Sequence, residues 1–157
     1  VFHIRCAVPS DIPVLHDMDI KCNETDWWSE EDWGYRMRYN GTNIMCFYGE
    51  PVALIAVDAL NSTVACLMKL VVRPHFRRRK IAKQLIAETE LMLLNKGYRI
   101  LRLYVPDRRL DPRNGDDLSV FLTKAGFRPA LTMTPENSER GVEDLVLFEK
   151  EISCFVT

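Results

Sequence analysis

The sequence predicts an α/β (α+β) chain: a mixed, mostly antiparallel sheet of about seven strands, with helices on both faces. Three observations point there. Apolar runs of strand length, alternating or unbroken, recur along the chain. Three strands follow one another between residues 44 and 72 at the spacing of an antiparallel meander, and a strand–helix–strand crossover follows them, which requires one parallel pair. Strand and helix alternate regularly only in the middle, which excludes a doubly wound nucleotide-binding sheet.

Val1 to Arg5 alternates apolar and polar residues and predicts a short strand. Pro9-Ser10-Asp11 opens a helix with Ser10 as its cap, and Ile12, Leu15, Met18 and Ile20 continue its period. Ser29-Glu30-Glu31-Asp32 resembles a capping box for a second helix through Tyr39, which Asn40-Gly41 ends. Ile44–Tyr48 and Val52–Val57 flank Gly49-Glu50-Pro51, a hairpin turn. Val64 to Val72 is a long apolar strand stopped by Pro74. Residues 81 to 95 carry a strong helical period closed by Gly97. Arg99 to Val105 alternates as a strand, and a helix from Asp116 to Ala125 is closed by Gly126. Phe127 begins a further strand, and Asp144 to Ile152 is the last. No repeat, low-complexity stretch or linker divides residues 1–157, so one domain is expected.

Composition narrows the class. Hydrophobic residues make up 47% and charged ones 27%, the balance of a folded globular chain. A net charge of −1 argues against nucleic-acid binding through the overall field. Five cysteines at wide, irregular spacing form neither C-x-x-C pairs nor a zinc-type cluster, and an odd count reads as reduced thiols. No metal is expected. No signal-peptide pattern is visible, and no apolar run approaches the roughly 20 residues that span a bilayer. The expectation is a cytoplasmic protein without membrane contact, monomeric or homodimeric.

The informative stretch runs from Leu70 to Ala82. A buried strand enters a short basic turn, Arg77-Arg78-Arg79-Lys80, and a helix starts immediately after it. The first N–H groups of a helix lack internal partners and lie at the positive end of its dipole. Four cations placed there repel that dipole unless an anion compensates. A phosphate group does so, held by the amides and the basic side chains together. Ala82 leaves room for it to approach the backbone.

On these residues the chain resembles the GNAT superfamily of N-acetyltransferases over nearly its whole length. The family's Arg/Gln-x-x-Gly-x-Gly/Ala motif follows a strand ending in Val-x-Pro; here Val72-Arg73-Pro74 precedes Arg77-Arg78-Arg79-Lys80-Ile81-Ala82. Phe121 to Phe127 is similar to the family's last helix and its Gly-Phe ending, and Leu101 to Val105 to its splayed fifth strand. Trp27-Trp28-Ser29-Glu30 is similar to a Pro-Trp-Ser-Glu stretch of the ribosomal-protein alanine N-acetyltransferases.

The resemblance implies acetyl-CoA as co-substrate and an amine, small molecule or protein, as acceptor. It implies that backbone at Leu70, Val71 and Val72 bonds the pantetheine, that amides from Arg77 through Ala82 hold the pyrophosphate, and that Asn114 and Phe121 line the pantetheine. Lys80 stands at the motif's first glycine, and Leu122 where many relatives carry the tyrosine that protonates the departing thiolate. The loop from Pro106 to Gly115 is longer than in those relatives. Tyr104 stands at the position of a catalytic glutamate on the fifth strand; a phenol suits an acid better than a base at neutral pH, and it is the catalytic candidate. Asp58 and Glu50 are weaker candidates, and His75 reads as a turn residue.

For the acceptor, Trp27, Trp28 and Glu30 are the candidates. They belong to a group of acidic and aromatic residues, with Glu24, Asp26, Glu31, Asp32 and Trp33, suited to a cationic amine. The same residues also read as a capped surface helix whose tryptophans fill the core. Two further readings of the chain stand beside transfer: a catalytically weak or inactive module of this shape that binds acyl-CoA or a protein, and a nucleic-acid contact from Arg73 to Lys83.

Overall fold

The computed structural model describes residues 1–23, 26–39, 41–111, 113, 118–133 and 144–152. Seven strands form one sheet: β1 (Phe2–Cys6), β2 (Gly41–Phe47), β3 (Glu50–Ala59), β4 (Val64–Val72), β5 (Ile100–Pro106), β6 (Arg128–Met133) and β7 (Leu145–Glu151). Their spatial order is β1-β2-β3-β4-β5-β7-β6. Every neighbouring pair is antiparallel except β4 and β5. The helices are α1 (Ile12–Cys22), α2 (Glu30–Tyr39), α3 (Ile81–Asn95) and α4 (Leu118–Lys124). The order of elements is the one the sequence predicts.

Each face of the sheet has its own core. On one, α1 and α2 bury Leu15, Met18 and Trp33 against Ile44, Leu54 and Val71. On the other, α3 and α4 bury Ile81, Leu85, Ile86 and Leu122 against Ile55, Leu67, Leu101 and Phe148. No helix among the described residues is long and apolar enough to cross a membrane.

Local chemistry accounts for the ends. Ser29 Oγ accepts from Asp32 N–H at 3.0 Å while Asp32 Oδ2 accepts from Ser29 N–H at 3.1 Å, the reciprocal cap predicted for α2. Gly97 and Gly126 lie at φ 98° and 96°, and the amides after them return to Leu93 and Leu122 at 3.0 and 2.9 Å.

Two expectations need correction. Ser10 does not cap α1: Pro9–Asp11 form a 3-10 turn ahead of it. Asp11 instead accepts Val8 N–H at 2.8 Å and both Arg5 guanidinium nitrogens at 2.8 Å, and the Arg5 bonds are the main reason its carboxyl lies below the usual range. The first hairpin turns on Tyr48-Gly49, both at positive φ, and Glu50 and Pro51 already belong to β3. Pro51 fits there because the register slips beside it, at a bulge where Val52 is the extra residue.

A second bulge shapes the site. Ala56 pairs with Lys69 and Val57 with Leu67, leaving Met68 as an extra residue in β4. One inserted residue reverses which face later side chains meet. Before it, Ala65 and Leu67 pack on the α3 side; after it, Lys69 and Val71 turn to the α1 side.

Candidate active site

Beyond Val72 the chain makes a 3-10 turn at Pro74–Phe76 and then runs extended at Arg77 (φ −69°, ψ 158°). Arg78 and Lys80 are left-handed, at φ 63° and 60°, and α3 begins at Ile81. Of the predicted phosphate-binding stretch, residues 77–80 therefore form the turn and only Ile81 and Ala82 are helical. Gln84 N–H is the first amide to bond back, on Lys80 C=O at 3.1 Å, so those before it have no intrahelical acceptor. The first turn of α3 holds no acidic residue.

A cavity of about 450 Å³ opens on this turn and extends to α4. Arg77, Arg78, Lys80, Lys83 and Lys124 line it, with Phe76 and Phe121 as apolar walls, and no carboxylate among the described residues does. Arg77 Nε donates to Val72 C=O at 3.2 Å, holding its guanidinium over the strand end. Arg79 is predicted with this group but does not line the cavity; its guanidinium sits 5.4 Å from the Phe76 ring centroid. Like charges crowded at the positive end of a helix raise one another's energy, and a polyanion relieves that.

The second opening follows from the parallel pair. β4 and β5 are in register only at Val64–Ile100, Ala65–Leu101 and Cys66–Arg102. Beyond Cys66, just ahead of the Met68 bulge, they part, and β5 stays paired with β7 along its whole length. The cleft between them has a volume of about 620 Å³. Met68, Lys69 and Leu70 line it from β4, and Leu103, Tyr104 and Val105 from β5. Phe121 borders both cavities. Val71, expected with Leu70 and Val72, lines neither cavity: its side chain is buried in the α1 core and its main chain lies opposite Leu54 of β3. Tyr104 is half-buried on the cleft wall, and Leu122 is buried at its base. Asn114 lies outside the described residues.

Asp58 and Glu50 stand outside this cleft. Asp58 is ion-paired to Arg36, Glu50 is exposed at the hairpin, and His75 is exposed in the 3-10 turn.

The acceptor candidates separate. Trp27 lines the cleft and is 45% exposed, its ring edge-on to His16 at 5.6 Å. Trp28 also lines it, but this chain already supplies its cations: Arg36 lies 4.4 Å and Lys69 4.9 Å from the ring centroid. Glu30 sits in the exposed first turn of α2 and does not line the cleft, because the cap at Ser29 turns that end of the helix to solvent. Trp33 fills the core.

Sequence reasoning missed the group that organises this wall. Lys69 is buried in an otherwise apolar strand; its ammonium lies 3.0 Å from Asp19 Oδ1 and also donates to Asp26 C=O. Asp19 is fully buried and accepts from Trp28 N–H and Asn23 Nδ2, each at 2.8 Å. This network ties α1 and the segment before α2 to the strand at the bulge. A lysine inside an apolar run was the available signal; the bulge that aims it has none.

A mixed sheet parted between its two parallel strands, with an anion-receptive turn leading into the helix that joins them, defines the N-acetyltransferase class of α/β folds. The chain belongs to the acetyltransferase (GNAT) family, whose model matches residues 12–111. Among solved structures it is similar to the ribosomal-protein-S18-alanine N-acetyltransferase from Escherichia coli, at 17% identity and a TM-score of 0.79, over 99% of this chain and 97% of that one. Ard1 from Thermoplasma volcanium aligns at 17% identity and 0.79 over 97% and 98%. An aminoglycoside 6'-N-acetyltransferase complexed with coenzyme A aligns at 15% identity and 0.78 over 99% of each chain. No curated protein matches the chain in sequence.

Proposed function

We propose that residues 1–157 form one acyl-CoA-binding domain that moves an acetyl group from acetyl-CoA to a primary amine: a protein N-terminus, a lysine or a small amine. The observation that carries this is the cavity at the turn, with five cations and, among the described residues, no carboxylate around the free amides that begin α3. The coenzyme A complex of a similar fold supports it.

In this reading the pyrophosphate rests on the amides of Arg78 through Ala82, because Arg77 N–H already bonds Pro74 C=O at 3.3 Å, and Arg77, Arg78 and Lys80 pair its oxygens through their side chains. The pantetheine passes Phe121 into the cleft, bonding β4 main chain at Leu70 and Val72 as an added strand does. The thioester then faces the bulge at Met68. The neutral amine attacks the thioester carbonyl carbon, the C–S bond breaks, the thiolate takes a proton from Tyr104, and the Tyr104 oxygen takes back the proton that the acylated nitrogen loses. Rate comes mainly from holding amine and thioester together and polarising the carbonyl with strand amides.

Isothermal calorimetry with acetyl-CoA is the first test: Arg77→Glu, placing a carboxylate against the phosphates, removes measurable binding, and unchanged affinity sinks the assignment. Thiol release across an amine panel is the second, with Tyr104→Phe lowering kcat more than KM. A module that binds acyl-CoA without turnover draws on Leu122, buried and with no proton to give. It predicts binding without thiol release for every amine.

A further inference from the structure

The charges around the cleft narrow the acceptor, on the basis of the transfer reading above. Glu24 lies outside the described residues, and the described acidic residues of this region do not make an acidic wall. Glu30, Glu31 and Asp32 are on the exposed first turn of α2, and Asp32 is spent on its cap. Asp19 is neutralised by Lys69, which is itself buried and satisfied. Among the described residues two charged groups on the cleft remain for a ligand: Asp26 beside Trp27, fastened to β4 through Lys69, and Arg109, beyond the end of β5.

Arg109 is exposed and has no hydrogen bond or ion pair among the described residues. Its backbone is nevertheless held. Two residues earlier Asp107 N–H bonds Asp144 C=O at 3.0 Å, and the next residue, Leu110, packs on the α3 core. A guanidinium on a held backbone at a cleft mouth, without a carboxylate partner among the described residues, recognises a planar anion by paired hydrogen bonds. Asp26 and the Trp27 ring, on the other strand's side, suit an ammonium.

We infer that the acceptor is an amine that carries its own carboxylate, which Arg109 holds. A free amino acid and a peptide whose first residue is acidic share this chemistry. The test is calorimetry on the full chain saturated with coenzyme A, titrated with two matched pairs: glycine against glycinamide, and Asp-Ala-Ala-amide against Asn-Ala-Ala-amide. The carboxylate member of at least one pair binds about tenfold tighter, as one charge-assisted pair allows, and the pair that responds identifies the source. Arg109→Gln brings that pair to parity while coenzyme A affinity is unchanged, and Arg109→Lys keeps part of the preference. Parity in the wild-type chain, or a preference that survives Arg109→Gln, overturns the inference. Binding preference without acetyl transfer to any amine removes the transfer reading and leaves only the carboxylate contact at Arg109 standing; transfer with parity does the reverse.

Discussion

Lys80 occupies a left-handed backbone position, φ 60° and ψ 20°, that favours glycine, and Arg78 two residues earlier does the same at φ 63°. A side chain there costs roughly 1–2 kcal/mol per residue. The strain sits in the turn assigned to the phosphates, where a cationic side chain gains what its backbone loses. Lys80→Gly should therefore stabilise the free chain by about 1 kcal/mol and raise Tm by about 2–4 °C. The same substitution weakens acetyl-CoA binding, since one phosphate-facing cation is gone. Thermal scans with and without ligand read both effects; a lower Tm for the free variant would show that the turn is not strained. The odd residue at this position was visible in the sequence, and its conformation was not.

At the scale of elements, β4 decides most. Its bounds, Val64 to Val72, could be read from an apolar run interrupted only at Lys69, and those of α3 from its helical period. The Met68 bulge could not, since an extra residue in a ladder is defined only by the strand beside it. It turns Lys69 from the α3 core to Asp19, and so turns a buried charge into a tie between the strand, α1 and the segment before α2. Removing one partner of a buried pair leaves the other uncompensated, so Lys69→Met should cost about 3–5 kcal/mol in chemical denaturation. Asp19→Asn in the same chain recovers part of it. In the still-folded fraction at low temperature, Lys69→Met raises KM for the amine more than for acetyl-CoA. Equal changes in both would mean that the tie holds the fold without placing the acceptor segment.

Across the whole molecule, two cores pack on opposite faces of one sheet, while β4 and β5 are hydrogen-bonded to each other over only three residue pairs. The parted halves leave strand edges and an apolar wall to be covered by ligand. A ligand that binds only the folded chain stabilises it by mass action. Acetyl-CoA at a hundred times its Kd should add about 2.7 kcal/mol and raise Tm by roughly 5–10 °C. Arg77→Glu abolishes that shift, and a wild-type chain whose Tm ignores acetyl-CoA contradicts the assignment of the turn.

Fold class, element order and the place of the cationic turn before α3 were determined by the sequence alone, because periodicity, helix-ending glycines and charge at a helix start are local properties. Which tryptophan meets solvent, which carboxylate is already neutralised and where Lys69 points were decided only by tertiary structure. Trp27, Trp28 and Trp33 lie within seven positions of one another, yet one is open to the cleft, one lies between two cations and one fills the core. Burial and charge pairing depend on residues far along the chain, such as Asp19 and Lys69, that meet only when the sheet has formed.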